Sequence, residues 1–300
     1  MSEAWLVIDP GRSGERPVRV RGRLHLGRVC AGVPPEDRIL IDDGGVSRDH
    51  AHVVIEGGRV HLVDHSTNGT RVNGRRIESG ERVPLSDGDT VTVGRTDLGV
   101  RVLAPVEVEE GTETLREGQS APMVVLVGDV VGYTGLSEAN DPHVVAECLS
   151  EVFAGLRSRI VDHGGVVNSY AGDAVFATWD GSSASDAVRA ALACQIAVEA
   201  MVPGLPLRYP DGSLLRIGWG VTAGMISASR PSPGRFVLHG DAINLAFRIS
   251  SLAGRDGLPP VLAEHSLDLE PTIARGEQFE LRVKGRAAPV RLVPVAVPAP

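Results

Sequence analysis

The chain has 300 residues, more than one domain usually contains, so two domains with separate cores are expected. Hydrophobic residues make up 42% of the sequence, as in a globular protein. The net charge of -8 gives no general attraction to nucleic acid or to an anionic membrane surface. Any contact with phosphate must therefore be local.

The cysteines exclude two further classes of site. Cys30, Cys148 and Cys194 are odd in number, far apart in sequence and without C-x-x-C spacing. This pattern argues against a disulfide framework and against a zinc site. The chain also shows no basic region followed by an apolar leader and no apolar run of transmembrane length. We therefore expect a cytoplasmic protein that does not cross a membrane.

Residues 1–104 form the first predicted domain. Short β-prone runs follow one another without a helical period, and turn pairs such as Asn73-Gly74 and Asp87-Gly88 separate them. This pattern of short strands and turns predicts an all-β, antiparallel sandwich. Residues 105–121 are acidic and poor in large apolar groups, which predicts a solvated linker.

Residues 122–300 form the second predicted domain, in which helical periods alternate with strands. In the segment 140–164, Asp141 is placed to cap a helix, Pro142 suits its first turn and Gly164 its end. We also expect a hairpin over 166–179, a helix near 186–202, a strand near 214–227, a helix over 240–250 and a closing hairpin over 280–293. The pattern predicts an α+β domain with helices on an antiparallel or mixed sheet.

Four motifs stand out in the first domain. They are Gly27-Arg28, Ser47-Arg48-Asp49-His50, Ser66-Thr67-Asn68-Gly69-Thr70 and Leu85-Ser86-Asp87-Gly88-Asp89. Each motif alone can be explained as a turn or as ordinary polar residues of an exposed loop. In their order and spacing they resemble the forkhead-associated (FHA) domain, across roughly residues 5 to 103.

The FHA resemblance implies a domain that binds phosphothreonine peptides. It implies that Arg28, Ser47, Arg48 and Thr67 surround the phosphate. It also implies that Asn68 binds the backbone of the peptide. Arginine offers phosphate a charge-assisted fork, and hydroxyl groups add neutral donors. The resemblance also implies that His50 braces the loop, and no zinc partner for it is found in the sequence.

The acidic linker next to this domain contains two threonines. One hypothesis is that a phosphorylated Thr112 or Thr114 folds back onto Arg28, so that the protein's own linker is the ligand. The alternative, which we favour, is an inert acidic linker and a phosphothreonine-containing partner protein.

The second domain carries two carboxylates and a polar pair on a helix. Asp129 ends a strand of buried type, and Asp173 lies in a predicted hairpin turn after Gly172. Together they suit two hard cations, since Mg²⁺ prefers one or two carboxylates plus substrate phosphates. Asn244 and Arg248 are four residues apart and share one helix face. Their spacing fits either a solvated stripe or a pair directed at a sugar and a phosphate.

The segments GDVVGYTGLS, HGG with AGDAV, GDAINLAFRI and RVKGR resemble, in this order, the motifs of class III nucleotidyl cyclases over about residues 122–295. The resemblance implies a ferredoxin-like α+β fold and the formation of cyclic AMP and pyrophosphate from ATP. The residues that it assigns are Asp129 and Asp173 as ligands of two Mg²⁺ or Mn²⁺ ions, Asn244 on the ribose, Arg248 on the α-phosphate, Lys284 on the terminal phosphates, and Gly132, Tyr133 and Thr134 in the phosphate-binding turn. It also implies a homodimer with active sites at the interface.

The sequence departs from the family pattern where the base is recognised. The family's usual Lys is replaced by Ser169, and its usual Asp or Thr by Val237. Asn168 and Ser169 are possible substitutes for the missing hydrogen bonds, and a lost base-specific bond can change discrimination by orders of magnitude. ATP is the expected substrate and GTP the alternative. A second hypothesis is a weakly active or inactive cyclase-like protein that serves as a phosphopeptide-binding adaptor.

Overall fold

A computed structural model of the chain describes residues 3–8, 10, 16–56, 59–103, 106–108, 114–232, 235–283 and 288–296. It separates into two compact units, residues 1–105 with 282–289, and residues 106–281 with 290–300. These limits differ from the predicted ones at two places. Residues 106–121, predicted as a linker, belong to the second unit, and residues 282–289 group with the first.

The first unit consists of strands in two sheets. In chain order the strands are β1 (Glu3–Ile8), β2 (Arg16–Arg19), β3 (Arg23–Gly27), β4 (Arg38–Leu40), β5 (Ala51–Glu56), β6 (Arg59–Asp64), β7 (Thr70–Val72), β8 (Arg75–Arg76), β9 (Arg82–Leu85), β10 (Thr90–Val93) and β11 (Thr96–Leu103). One sheet has the order β2-β1-β11-β10-β7-β8 and the other β4-β3-β5-β6-β9. A 3-10 turn, Pro35–Asp37, precedes β4.

Alternating side chains from both sheets form one hydrophobic core in this unit. Leu24, Val53 and Leu62 of the second sheet and Val91 and Leu98 of the first are fully buried. This alternation of buried and exposed residues is what the sequence predicts for half-buried antiparallel strands. The pairs are antiparallel, except that β3 and β4 run parallel.

The second unit is an α+β domain built on one sheet. Its strands are β12 (Val106–Val108), β13 (Ser120–Val130), β14 (Val166–Ala171), β15 (Ala174–Asp180), β16 (Ile217–Ser232), β17 (Arg235–His239), β18 (Val261–Glu264), β19 (Ala274–Arg275), β20 (Phe279–Leu281) and β21 (Val290–Ala296). Its helices are α1 (Tyr133–Ala139), α2 (Pro142–Asp162), α3 (Ala184–Met201) and α4 (Asp241–Leu252), and a 3-10 turn, Val202–Gly204, follows α3. The main path of the sheet is β14-β15-β13-β16-β18-β21-β19.

Helix α2 confirms the prediction made from its capping residues and period. The Asp141 side chain accepts a hydrogen bond of 2.8 Å from the His143 N–H, and Pro142 opens the helix. Gly164, with φ of 75°, follows its end. The apolar residues that recur at the helical period form one face, of which Val144 is half-buried and the others are buried, namely Val145, Cys148, Leu149, Val152, Phe153, Leu156 and Ile160.

Helix α3 and the turn after it, residues Ala184–Gly204, are long and apolar enough to cross a membrane by length and composition alone. Many of the α3 side chains, among them Ala187, Val188 and Cys194, are instead buried in the core of the second unit. The core helix of a globular domain passes the same test of length and composition.

Helix α4 lies unusually close to strand β16 because three glycines of the strand face it. A Cβ atom at Gly220 would come within 2.5 Å of the Ala246 carbonyl oxygen. One at Gly218 would come within 2.3 Å of the Ser250 oxygen, and one at Gly224 within 3.0 Å of the Ala242 Cβ. The absence of side chains at these three glycines therefore permits the close position of the helix that carries Asn244 and Arg248.

The predicted linker is partly structured. Strand β12 pairs with β17 through Val106 and Leu238, Glu107 and Val237, and Val108 and Phe236. Val108 is buried, and Leu115 packs against the same apolar cluster. The expectation of a solvated linker is therefore wrong for these residues, whose few apolar side chains complete one face of the sheet.

Candidate functional site

Two loops of the first unit meet where the predicted phosphate contacts lie. The Arg28 N–H donates to the Ser47 carbonyl oxygen at 2.9 Å, and the N–H groups of Val29 and Cys30 both donate to the Arg48 oxygen at 3.0 Å. A Cβ atom at Gly27 would come within 2.3 Å of that same oxygen. Glycine is therefore required for the close approach that places Arg28 next to Ser47 and Arg48.

A third loop joins this surface through polar contacts. The Thr67 N–H donates to Ser47 Oγ at 3.3 Å, and Asn68 Nδ2 donates to the Gly45 carbonyl oxygen at 2.7 Å. Beneath the loop, the buried Asp64 accepts hydrogen bonds from the hydroxyls of Ser66 and Thr70. The five residues predicted to bind phosphopeptide thus belong to loops that are bonded to one another.

The charge of this surface favours an anion. Arg28 and Arg48 are exposed, and within the part of the chain that the structure describes neither guanidinium has a carboxylate partner. Thr67 and Asn68 are exposed beside them. Two unneutralised guanidinium groups next to hydroxyl and amide donors suit a phosphate group.

His50 supports the loop from below. It is fully buried, and its Nδ1 accepts a hydrogen bond of 3.1 Å from the Ser47 N–H. Its Nε2 lies 3.9 Å from Asp64 Oδ1. Burial lowers the pKa of His50, which favours the neutral ring that this acceptor role requires. The assignment of His50 to bracing the loop is confirmed.

The two carboxylates of the second unit meet at one edge of its sheet. Asp129 is next to last in β13 and is paired with Ala174 on β15, which directly follows Asp173. The Val130 N–H donates to the Asp173 carbonyl oxygen at 3.1 Å. Both side chains are half-buried. The strand pairing therefore brings together two acids that are 44 positions apart in the sequence.

The electrostatics of this pair favour a bound cation. Burial and, after it, the charge of Asp173 raise the pKa of Asp129 to about 6, while the charge of Arg255 opposes the rise. Two carboxylates so close together disfavour full ionisation, and a divalent cation would relieve their repulsion. Among the described residues no cluster of three or more His, Cys, Asp or Glu side chains could hold a metal ion. A carboxylate pair fits Mg²⁺ or Mn²⁺ that takes its other ligands from phosphates and water.

A basic and aromatic cluster adjoins the carboxylates. The Tyr209 hydroxyl donates to the Val131 carbonyl oxygen, and the Arg216 guanidinium lies 5.7 Å from the centre of the Tyr209 ring. Arg216 also donates to the Gly254 carbonyl oxygen at 3.3 Å. These contacts fix the turn at Gly132, where φ is 67° and the chain enters α1. Tyr133 and Thr134, the other residues predicted for this turn, open that helix.

Arg255 is a candidate that the sequence alone did not indicate. Burial raises the pKa of Asp129 and of Tyr209, and the charge of Arg255 opposes both rises. Its Nε is buried and has no hydrogen-bond partner among the described residues. In the sequence it stands between Gly254 and Asp256-Gly257, which is typical of a turn. No spacing rule connects it with Asp129, and only the folded loop brings the two together.

The polar pair of α4 and the predicted base positions differ in their surroundings. Asn244 and Arg248 are half-buried on one face of α4. Val237 is fully buried in β17, so it offers no polar contact. Asn168 is also fully buried, and it accepts a hydrogen bond of 2.8 Å from Thr178 Oγ1. The Ser169 hydroxyl is buried without a hydrogen-bond partner in the described part of the chain.

Three predicted residues need separate mention. Lys284 and Thr112 lie outside the described residues. Thr114 is half-buried, and its hydroxyl accepts a hydrogen bond of 3.4 Å from Thr178 Oγ1. A phosphorylated Thr114 would have to leave this position before it could reach another surface.

Comparison with known proteins identifies the first unit. The sequence model of the FHA domain family matches residues 24–94. Residues 24–94 are an FHA domain. The glycogen accumulation regulator GarA of Mycolicibacterium smegmatis is 42% identical over 97 residues, which cover 32% of this chain and 56% of that protein.

The rest of the chain is similar to nucleotidyl cyclases. An adenylate cyclase of Anabaena cylindrica is 27% identical over 199 residues, which cover 64% of this chain and 38% of that protein. The crystal structure of the guanylyl cyclase Cya2 superposes with a TM-score of 0.52 and 22% identity, covering 62% of this chain and 97% of that one. The FHA domain is thus joined to a domain with the class III cyclase fold. The chain spans less than two thirds of the length of the two curated relatives.

Proposed function

We propose that this protein is a nucleotidyl cyclase whose activity or location is controlled by phosphothreonine peptides bound to its FHA domain. The observation that carries the catalytic part is the pair Asp129 and Asp173, half-buried side by side at the sheet edge. ATP is the proposed substrate, and cyclic AMP and pyrophosphate are the products. We also propose that the first unit is a β-sandwich and that the second unit has a ferredoxin-like fold, as predicted from the sequence.

In the proposed reaction the ribose 3′-oxygen attacks the α-phosphorus, and the bond to the oxygen that bridges the α- and β-phosphorus breaks. When held by Asp129 and Asp173, two Mg²⁺ or Mn²⁺ ions would activate the attacking oxygen and neutralise the leaving pyrophosphate. Positioning and charge carry most of such a phosphoryl transfer.

The remaining roles belong to side chains of this chain. Arg248 would donate to the charge that develops on the α-phosphate, and Asn244, on the same helix face, would hold the ribose. Lys284, which lies outside the described residues, would bind the terminal phosphates. Arg255 adds a cation beside Asp129 in the same region. The Asp residues of one subunit and the helix α4 of its partner are proposed to meet at a homodimer interface.

Base selection in this proposal departs from the family pattern. Val237 is apolar and fully buried, and Asn168 is engaged with Thr178, so neither is placed to read a base. The unpartnered Ser169 hydroxyl is the group that we propose for this contact. The names of the relatives include both adenylate and guanylyl cyclases. A guanine or relaxed preference is therefore the alternative.

The FHA domain is proposed to recruit or regulate the enzyme through a phosphothreonine-containing partner. The unneutralised Arg28 and Arg48 support this part of the proposal, and so does the similarity to GarA. The three cysteines are free and buried, as suits a reducing cytoplasm. The second candidate function, an adaptor with little turnover, is favoured by the loss of both usual base-reading residues.

The test is an assay of the purified chain with ATP or GTP and with Mn²⁺ or Mg²⁺, in which the cyclic nucleotides are quantified. We expect Asp173→Ala and Arg248→Ala each to lower the rate at least about a hundredfold, since each removes charge stabilisation from the transition state. Asp162→Ala and Arg159→Ala, which remove the same charges from exposed positions of α2, are the matched controls. If the protein is folded but forms no cyclic nucleotide, the cyclase function is wrong and the adaptor function is favoured.

A further inference from the structure

The segment predicted as a linker brings a carboxylate next to one of the two base positions. Strand β12 pairs with β17, and Glu107 is directly opposite Val237 in this pair. Residues that are directly opposite in a sheet project from the same face, with Cβ atoms about 4.5–5.5 Å apart. The Glu107 side chain therefore lies beside position 237, where an apolar residue stands in place of the polar one expected for recognition of the base.

The alternation of side chains along β12 directs Glu107 away from the hydrophobic core. Val106 and Val108 pack against the same apolar cluster as Phe236 and Leu238 of β17. Successive side chains of a strand point to opposite faces. Glu107, which lies between the two valines, is exposed. Its carboxylate is therefore accessible to a ligand on the outer face of this strand pair.

Strand β12 also lies close to the strand of the other base position. Cα atoms of β12 come within 8 Å of Cα atoms of β14, the strand that carries Ser169. Farther along the chain, the Thr114 hydroxyl accepts a hydrogen bond of 3.4 Å from Thr178 Oγ1, which is also 2.8 Å from Asn168 Oδ1. The two base positions are thus on strands that both adjoin β12.

A carboxylate and a hydroxyl together match the edge of adenine. The amino group at C6 of adenine donates hydrogen bonds, and the neighbouring ring nitrogen N1 accepts one. An ionised carboxylate only accepts, so Glu107 suits the amino group. The Ser169 hydroxyl, which has no hydrogen-bond partner in the described part of the chain, can donate to N1. Guanine has an accepting oxygen at C6, which a carboxylate would repel.

We propose that Glu107 is a specificity-determining residue of the cyclase, whose carboxylate accepts a hydrogen bond from the C6 amino group of adenine. This inference rests on the proposed cyclase function and adds to it the group that selects ATP. The polar group missing at position 237 is supplied by the strand that pairs with it. Base selection then depends on the segment that follows the FHA domain in the chain, outside the motifs that carry the metal and phosphate contacts.

The test compares ATP, GTP and purine riboside triphosphate, which is ATP without its amino group, as substrates of the full chain with Mn²⁺. Glu107→Ala should lower kcat/KM for ATP about tenfold to a hundredfold, since a hydrogen bond to a charged group contributes about one to two factors of ten. The kcat/KM for purine riboside triphosphate should change less than about twofold, because that nucleotide cannot make the bond. The preference for ATP over GTP should fall as well, since the carboxylate no longer repels the guanine oxygen.

Glu117→Ala is the matched control, because Glu117 is an exposed carboxylate that precedes β13. It should retain the kcat/KM values of the unchanged chain for all three nucleotides. If Glu107→Ala lowers kcat/KM for ATP and for purine riboside triphosphate alike, or lowers neither, the role of Glu107 is wrong and the cyclase function stands. A chain that uses GTP but not ATP would also overturn this role and leave a cyclase. If the unchanged chain forms no cyclic nucleotide from any of them, both proposals fail.

Discussion

His52 occupies the middle of a row of histidines on the FHA domain. It is opposite His25 across the β3–β5 pair, and its ring stacks on that of His65 at 5.0 Å between centroids. His52 Nδ1 and His65 Nε2 are 2.9 Å apart, so one of them donates and the other accepts. Burial, followed by the charges of Arg23, His65 and His25, lowers the pKa of His52 from 6.5 to about 4.

This shift predicts a pH dependence of stability. Below pH 6.5 His52 is protonated in the unfolded chain, whereas in the folded chain it stays neutral until the pH falls to about 4. The free energy of unfolding should therefore fall as the pH decreases from about 6.5 to about 4, and the contribution of His52 should be constant outside this range. NMR titration of the ring protons gives the pKa, and denaturant unfolding of His52→Gln gives the effect on stability. A His52 pKa near 6.5, or an unchanged pH profile in His52→Gln, would contradict the prediction.

The packing of α4 on β16 can be tested at the level of the element. A methyl group at Gly220 would lie 2.5 Å from the Ala246 oxygen and 2.9 Å from the Ser250 nitrogen, both of which are backbone atoms that cannot rotate away. Gly220→Ala should therefore lower the free energy of unfolding of the second unit by about 1–3 kcal/mol. It should also lower the proposed cyclase activity, because α4 carries Asn244 and Arg248. Tryptophan fluorescence in denaturant measures the first effect, since Trp179 and Trp219 are buried in this unit.

Gly135 supplies the control for this substitution. It lies within α1, and a Cβ atom there would meet no other atom within 4 Å. Gly135→Ala should leave stability unchanged or raise it by about 0.5–1 kcal/mol, because alanine loses less backbone freedom than glycine in a helix. Equal stability of the Gly220→Ala and Gly135→Ala proteins would mean that the close approach of α4 to β16 is not tight.

The elements of this fold were predictable to the extent that local chemistry determines them. The capping pair Asp141-Pro142 and the apolar period define α2 in the sequence, and the Gly172-Asp173 turn defines the β14–β15 hairpin. Strand β12 was missed because an acidic segment with few apolar residues gives a strand only when β17 is present to pair with it. That pairing is a long-range property, which no local pattern in the sequence contains.

The site was predictable to a similar extent. Family motifs indicated the loops of Arg28, Ser47 and Thr67, and hydrogen bonds between those loops are present in the fold. Arg255 was not indicated, since only the folded loop brings it near Asp129.

At the scale of the whole molecule, the two units combine different chemistry in one chain. The FHA domain presents the exposed cations Arg28 and Arg48 on neighbouring loops. The second unit gathers Asp129 and Asp173 at one sheet edge, whereas Asn244 and Arg248 are on a helix that lies along β16. The proposed division of the active site between two subunits makes activity depend on assembly, which gives a phosphopeptide-bound FHA domain a means of control through the association of two chains.

Mixing inactive variants tests this division. If Asp129 and Asp173 of one subunit work with Arg248 of its partner, an equal mixture of Asp173→Ala and Arg248→Ala chains should recover about a quarter of the normal activity, because half of the dimers are mixed and each has one intact site. A mixture of Asp173→Ala with Asp129→Ala should stay inactive, since both changes affect the same half of every site. Differently tagged chains and co-purification would establish that subunits exchange. Exchange without recovery of cyclic nucleotide formation in the first mixture would mean that each chain contains a complete site or that the chains do not share one.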